Sequence, residues 1–552
     1  MALLTRKTAS ALASASLLGL AAAPASAFNF HLADGEILGA FDTDITWGMS
    51  ARTENAHTEN LGNSYGNRLY RDAGDIFTHT LKMSNTLELK GQNWGTLIRG
   101  NMSYDFKADK RRLSSAAENR AVHHGDVTDA YAYVRLGAEK NWTVRAGKQV
   151  ISWGENTFIG GAINDINTVD ITKLRQPGVE LKDAFVGTPA LNVSWNLNDD
   201  VTLEAFTLFS FDEIKVDPVG GFFAGLDAIG DGGGFANATI GIPRCTTLDN
   251  PTAAPGLGSC DLLGGLLTRA GDDIPSGGGQ WGVALKVFKP TWGSGMEFGF
   301  YYQNLHDHLP MVSAIAGASA LAGPPGPAQF VVDYPENIER WGLSFNTMWR
   351  GTAFGGEISH RKNAPVQLLA PLLMAPGIIP GTAPGTFIKG YEDISRTQLQ
   401  LTVQKIWGVW HAIGADANST IGEIAVGRLG GLPDSTALFE PDITDSYWGF
   451  QIRHNLSFTG AIAGIINVDP NIAYRWDVNG VSNELGGAKL MVEGRQSLTT
   501  GLNFSYLLKY TAGISYTRFW GGEGDHLINA AGSRLNGGTD RDFVAINLKY
   551  SF

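Results

Sequence analysis

Two cysteines in 552 residues, Cys245 and Cys260, exclude a cysteine-rich secreted scaffold. No H-E-x-x-H and no Walker-type glycine loop ending in Lys-Ser or Lys-Thr occurs, so the common metalloprotease and nucleotide-binding signatures are missing. Charged residues make up only 17% and sum to −12, with no basic run, which speaks against nucleic acid. From residue 28 onward no uninterrupted apolar stretch reaches 18 residues, so no membrane-spanning helix is expected there.

What is present is glycine (70 residues), aromatic side chains (14 Trp, 15 Tyr, 27 Phe) and alternation. The first 27 residues read as a secretory signal: Arg6 and Lys7, an apolar run from Ala11 to Ala23, then Pro24-Ala25-Ser26-Ala27 as a cleavage site. The mature chain, 28–552, therefore belongs outside the cytoplasm. At the other end, Val544, Ile546, Leu548, Tyr550 and Phe552 fall on one face of a strand and Ala545, Asn547, Lys549 and Ser551 on the other. Apolar on one side and polar on the other over about ten residues suits a wall with lipid outside and water inside. Tyr550 and the terminal Phe552 resemble the signal read by the barrel assembly machinery of the outer membrane.

Segments of the same period recur near 37–50, 78–90, 95–107, 127–137, 141–151, 188–197, 200–212, 279–289 and 295–304. They continue near 338–350, 353–361, 392–406, 409–419, 446–458, 463–477, 494–507, 509–520 and 541–552. Connections between them alternate in length. Gly91–Trp94, Gly137–Lys140, Asn198-Asp199, Pro290–Ser294, Gly351-Thr352 and Trp407-Gly408 are short; the intervening ones, such as 152–187, 213–278 and 420–445, are long. The expected fold is all-β: a transmembrane up-and-down antiparallel barrel of about 18 strands (range 14–18), with long extracellular loops. Pro470 makes 463–477 one of the weaker strands.

Three groups of loop residues carry expectations. Cys245 and Cys260, in the longest loop (213–278), are expected to form a disulfide in an oxidising compartment. The segment 152–187 holds Glu155, Asp165, Asp170, Lys173, Arg175 and Glu180 around Pro177-Gly178, a density of opposed charge suited to folding inward and bracing the lumen. Three stretches are apolar for outer loops: Val219–Leu226 with Phe222 and Phe223, Met311–Val332, and Ala364–Ile388 with Leu368, Leu369, Leu372 and Leu373. Large exposed apolar patches mark interaction sites, so these leucines and phenylalanines are candidates for a hydrophobic ligand, unless the loops pack on one another as a cap. His123-His124 and His306-Asp307-His308 invite a metal reading, but both fall in loops and are read as exposed polar residues.

The block Gly147–Ala184, together with Phe28-Asn29-Phe30, Leu203-Glu204-Ala205-Phe206 and the closing Asp542-Phe543…Phe552, resembles a large proteobacterial family of unknown function. That family is known only as predicted outer-membrane proteins. The resemblance implies an outer-membrane barrel among outer-membrane lipids, often encoded beside a periplasmic lipoprotein-carrier-like protein and a resistance-nodulation-division exporter. It implies handling of hydrophobic or amphipathic, lipid-like compounds, and supplies no catalytic residue and no cofactor. The alternatives are a passive porin for small polar or aromatic acids, and an outer-membrane enzyme or structural surface protein.

Overall fold

The computed structural model describes residues 28–552 apart from 61–64, 112, 225–228, 234, 238–265, 317–328, 369–382, 433–438, 440–442, 485–488, 508 and 523–534. Cys245 and Cys260 lie outside the described residues, as do Leu369, Leu372 and Leu373 and the signal segment 1–27.

Eighteen antiparallel strands close on themselves. They are β1 (Ile37–Arg52), β2 (Ile76–Lys90), β3 (Trp94–Asp105), β4 (His123–Leu136), β5 (Trp142–Gln149) and β6 (Thr188–Asn198). Next come β7 (Val201–Leu208), β8 (Trp281–Lys289), β9 (Met296–Leu305), β10 (Ile338–Trp349), β11 (Thr352–Gln367) and β12 (Tyr391–Trp410). The round ends with β13 (Ala415–Leu429), β14 (Ser446–Ile462), β15 (Ile466–Asn479), β16 (Gln496–Tyr506), β17 (Tyr510–Trp520) and β18 (Phe543–Ser551). Each pairs with the next, and β18 pairs with β1 from Asp44↔Ser551 to Arg52↔Phe543. The seam is finished by Thr43 and Phe552, whose backbones exchange hydrogen bonds of 2.6 and 2.9 Å. Phe28–Leu32 folds back on the start of β1.

Alternation sets the two faces. Ile358, Leu399, Leu401, Ile424, Ile514 and Leu548 are exposed on the outside, while Glu357, Gln398, Gln400, Glu423 and Ser344 face inward and are buried. Next to the short turns the outer face carries Trp94, Trp142, Trp292, Trp349, Trp407, Trp410, Tyr506 and Tyr510, all exposed. A closed wall with an apolar outer row and an aromatic belt satisfies every backbone group within lipid, which is the architecture of outer-membrane barrels. No described helix is long and apolar enough to cross a membrane.

All eighteen expected strands are present, with corrections of extent. β11 runs on through Gln367 into the expected loop 362–391, so Ala364–Gln367 pair with Tyr391–Ile394 instead of forming loop. β12 and β13 change at their shared turn. Trp407-Gly408 is not a turn. Gly408 has φ +81°, and the register shifts on both sides of it, so it forms a β-bulge inside β12 and the turn comes at His411–Gly414. In consequence β13 runs on to Leu429, through residues assigned above to the loop 420–445; Glu423, Ala425 and Gly427 pair with Gln451, Gly449 and Tyr447 of β14. Pro470 sits where the β14–β15 ladder skips two pairs, between Asn455↔Asn471 and Phe458↔Val468, so its missing N–H breaks no bond on that side.

At the long-loop end, Phe235–Asn237, Leu266–Asp273, Gln329–Asp333, Met311–Ile315 and Phe387–Ile388 make a five-stranded sheet from three different loops. Phe330, Val332 and Tyr334 bury against Phe211, Ile229 and Val312 in that cap.

Candidate functional site, a charged lumen closed by a folded loop

The segment after β5 turns into the barrel and crosses it. Ile151, Trp153, Ile163 and Ile166 pack with Phe206, Ala284, Tyr301 and Leu305 of the wall. Two glycines permit the approach: a Cβ at Gly342 would lie 2.6 Å from Ile163, and one at Gly48 would lie 2.7 Å from Pro177. Trp153 donates its indole N–H to Glu204 at 2.7 Å, and Glu204 also pairs with Lys286 at 3.0 Å.

The loop's backbone is held chiefly by two wall carboxylates. Glu357 on β11 accepts from the backbone N–H of Glu155 (2.6 Å) and Ile163 (3.2 Å). Glu423 on β13 accepts from the N–H groups of Thr157, Phe158 and Ile159 at 2.5, 3.1 and 2.6 Å, and from the Thr402 hydroxyl at 2.8 Å. Irregular backbone in a lumen leaves donors unpaired, and carboxylates aimed at them are the strongest acceptors available.

The expected lumen residues distribute as follows. Glu155 accepts from the Asn346 amide at 2.9 Å, and burial raises its carboxyl above the ordinary range. Asp165 pairs with Arg361, and its backbone carbonyl accepts from Arg340 at 3.1 Å. Burial opposes ionisation of Asp165, yet the Arg361 and Arg340 guanidiniums outweigh it and hold the carboxyl below its usual value. Asp170 caps the short helix Ile171–Leu174 and pairs with Arg120 at 2.7 Å. Lys173 is buried between Asp126 (2.5 Å) and the Asn101 amide oxygen (3.1 Å). Arg175 pairs with Asp217 and lies over the Phe223 ring. Glu180 takes hydrogen bonds from Lys182 and Lys549; burial works against its charge, and the two lysines win, pulling it down to about 2. All six therefore sit inside the barrel mouth or bore, each engaged by a side chain of opposite charge or a polar partner.

The tightest charge cluster was invisible in the loop itself. Arg340, Arg361 and Arg396 occupy one register row on β10, β11 and β12. Arg361 also meets Asp307 at 3.6 Å, and Arg396 meets Glu484 at 2.7 Å and the carbonyl of Gly161 at 2.9 Å. Glu484 belongs to a second inward loop whose Leu490 and Met491 pack with Phe158, Ile159 and Tyr447. On a strand, these arginines and Glu357 and Glu423 read only as polar-row residues, so nothing local distinguished them.

The apolar candidates with described positions are packed on the protein itself. Phe222 is 4% exposed and stacks on Phe77 at 4.0 Å, with Tyr70 and Phe223 edge-on. Arg541 donates to the carbonyls of Phe222 and Ala224. Leu368 packs beside Val366, Ile394, Leu429 and Phe439. The histidines correct the expectation of exposed polar residues, save for His123, which is exposed: His124, His306 and His308 are buried. His308 directs its two ring nitrogens at the carbonyls of Asp212 (2.7 Å) and Ile166 (3.2 Å), which makes it a brace for the loop. Among the described residues no group of three His, Cys, Asp or Glu side chains is placed to hold a metal ion.

A family model described as "Protein of unknown function (DUF1302)" matches residues 8–552. No curated protein matches the chain. Among solved structures, it is similar to Pseudomonas aeruginosa OpdK with vanillate (7% identity, 93% of this chain and 98% of that one, TM-score 0.42). It is also similar to Pseudomonas aeruginosa OccK9 (8%, 93% and 98%, 0.43) and Acinetobacter baumannii OccAB4 (10%, 93% and 98%, 0.42).

Proposed function

The chain belongs to the DUF1302 family, proteins of unknown function, and from its own lumen we propose that it is a constricted outer-membrane channel for small water-soluble solutes. The observation that carries this reading is the inward row. It is polar along the strands, and the crossing loop and the second inward loop narrow it with ion pairs: Arg361–Asp165, Lys82–Asp183 and Lys173–Asp126 from the first, Arg396–Glu484 from the second. A bore lined with fixed charges admits hydrated polar solutes and discriminates among them by sign and size.

A lipid-like cargo would call for apolar lining continuous from bore to loops. The described apolar loop residues instead form separate clusters, around Phe222, around Phe330 and around Val366. That favours the polar-solute alternative over a hydrophobic substrate. No part of this reading requires a periplasmic carrier, an exporter or an enzyme active site.

The test is reconstitution. Purified barrel in liposomes should swell with small sugars and carboxylates and give discrete ion conductance in planar bilayers. A folded, heat-modifiable barrel that conducts no ions while moving a fluorescent fatty acid would return the lipid-like reading to first place.

A further inference from the structure

The loop 151–185 touches the wall on nearly every side. Its hydrogen bonds and ion pairs reach β1 and β2 (Lys182–Asp44, Lys82–Asp183), β7 (Glu204), β9 to β13, and β18 (Lys549). None of the hydrogen bonds, ion pairs or ring contacts among the described residues joins it to β15, β16 or β17. The charges on the inner face of that sector are already engaged: Asp469 accepts from the Ser457 hydroxyl at 2.5 Å, and Arg475 pairs with Asp477 at 2.9 Å. Asn471 lies against Gly501, and Asn503 and Asn547 both lie against Gly513, which places these side chains on the inner face. Asn503 is exposed there, inside a closed barrel.

At the border of this sector stands Arg453 on β14. It shares the inward row with Gln451 and Asn455, while its neighbour Ile452 is exposed on the lipid side. Arg453 is itself exposed, and its Nε donates to Asn455 Oδ1 at 3.2 Å. The other arginines nearby have carboxylates: Arg396 has Glu484, and Arg475 and Arg495 share Asp477. Glu423, on the adjoining strand opposite Gln451, is occupied by three backbone N–H groups and Thr402. Among the described residues no carboxylate lies within ion-pair distance of Arg453, so its two terminal nitrogens face the bore.

Resting on the channel reading above, we propose that the solute path runs between the crossing loop and the β14–β17 wall. Arg453 is its anion-binding residue, taking the carboxylate or similar oxyanion of a small solute. A guanidinium offers two parallel N–H donors to a carboxylate, and a lone cation in a narrow bore focuses the field along the path. The amides of Asn455, Asn471 and Asn503 supply neutral donors further along.

The full chain in planar bilayers tests this. Under a KCl gradient the unaltered protein should favour chloride, Arg453→Gln should lose most of that preference, and Arg453→Glu should reverse it. Benzoate, added to block chloride current, should lose about tenfold in affinity with Arg453→Gln, as expected for removal of a charge-assisted pair. Arg453→Lys should keep the chloride preference and lose part of the benzoate affinity, which separates charge from the fork geometry. Current through Asn503→Cys should be blocked by an anionic thiol reagent from the aqueous side, and current through Ile452→Cys should not. A conducting channel whose selectivity and benzoate block are the same in Arg453→Glu overturns the inference and leaves the channel reading standing. A folded barrel with no conductance at all removes the channel reading beneath it.

Discussion

Glu180 shows how one side chain ties the crossing loop to the barrel's own seam. Its partners are Lys182, two residues further along the loop, and Lys549, on the last strand, so the contact links loop, β18 and, through Lys182–Asp44, β1. Its carboxyl is drawn down to about 2, against an unfolded value near 4.3. For a depressed acid the stabilisation is complete above the unfolded value and disappears as pH falls toward the folded one. The Glu180 anchor should thus be intact at pH 5 and fail only between about pH 4 and 2. Glu180→Gln should remove that acid step: conductance noise measured from pH 7 to 3 rises at the low end in the unaltered channel and is already raised, and flat with pH, in the variant. An identical acid response in both would assign it elsewhere, with Glu155, whose carboxyl is raised, the next candidate.

At the scale of elements, the wall holds the loop more than the loop holds itself. Three of its backbone N–H groups end on one carboxylate, Glu423, and hydrogen bonds to a charged acceptor contribute roughly 1.5–3 kcal/mol each. Glu423→Ala should free the Thr157–Ile159 segment while leaving the barrel assembled. We expect larger and noisier single-channel conductance with an unchanged heat-modifiable band; Glu423→Gln, which keeps one acceptor oxygen, should fall between. Strands of this kind were legible from residue types alone, because lipid outside and water inside impose period two along the wall. Boundaries were not: Gly408 looks like a turn and is a bulge, and the ten residues after Ser419 continue β13 because Ile424 and Val426 face lipid while Glu423 and Ala425 face the loop. The inward fold of 152–187 was legible through its clustered charges. Its anchors were not, since Glu357, Glu423 and Arg361 occupy polar positions that any barrel strand must have.

For the whole molecule, closure depends on the last strand meeting the first, and the seam separates two roles for Phe552. One is structural: its backbone exchanges two hydrogen bonds with Thr43, and its ring sits 5.3 Å from that of Tyr550, which stacks on Tyr510 at 4.9 Å. The other, which we propose, is recognition of its aromatic ring by the barrel assembly machinery. Magnitude tells them apart. Two hydrogen bonds contribute about 1–3 kcal/mol together, a small part of a seam that runs in register from Asp44↔Ser551 to Arg52↔Phe543. Deleting Phe552 should therefore lower only slightly the temperature at which refolded protein loses its barrel mobility in detergent. In cells, the same deletion should leave unfolded chain in the periplasm. Phe552→Ala sharpens the comparison, because it keeps both backbone bonds and removes only the ring: it should fold in vitro like the unaltered chain and still assemble poorly in cells. Equal loss in both settings would place the role of Phe552 in the seam itself, and normal insertion of the deleted chain in cells would remove the recognition role altogether.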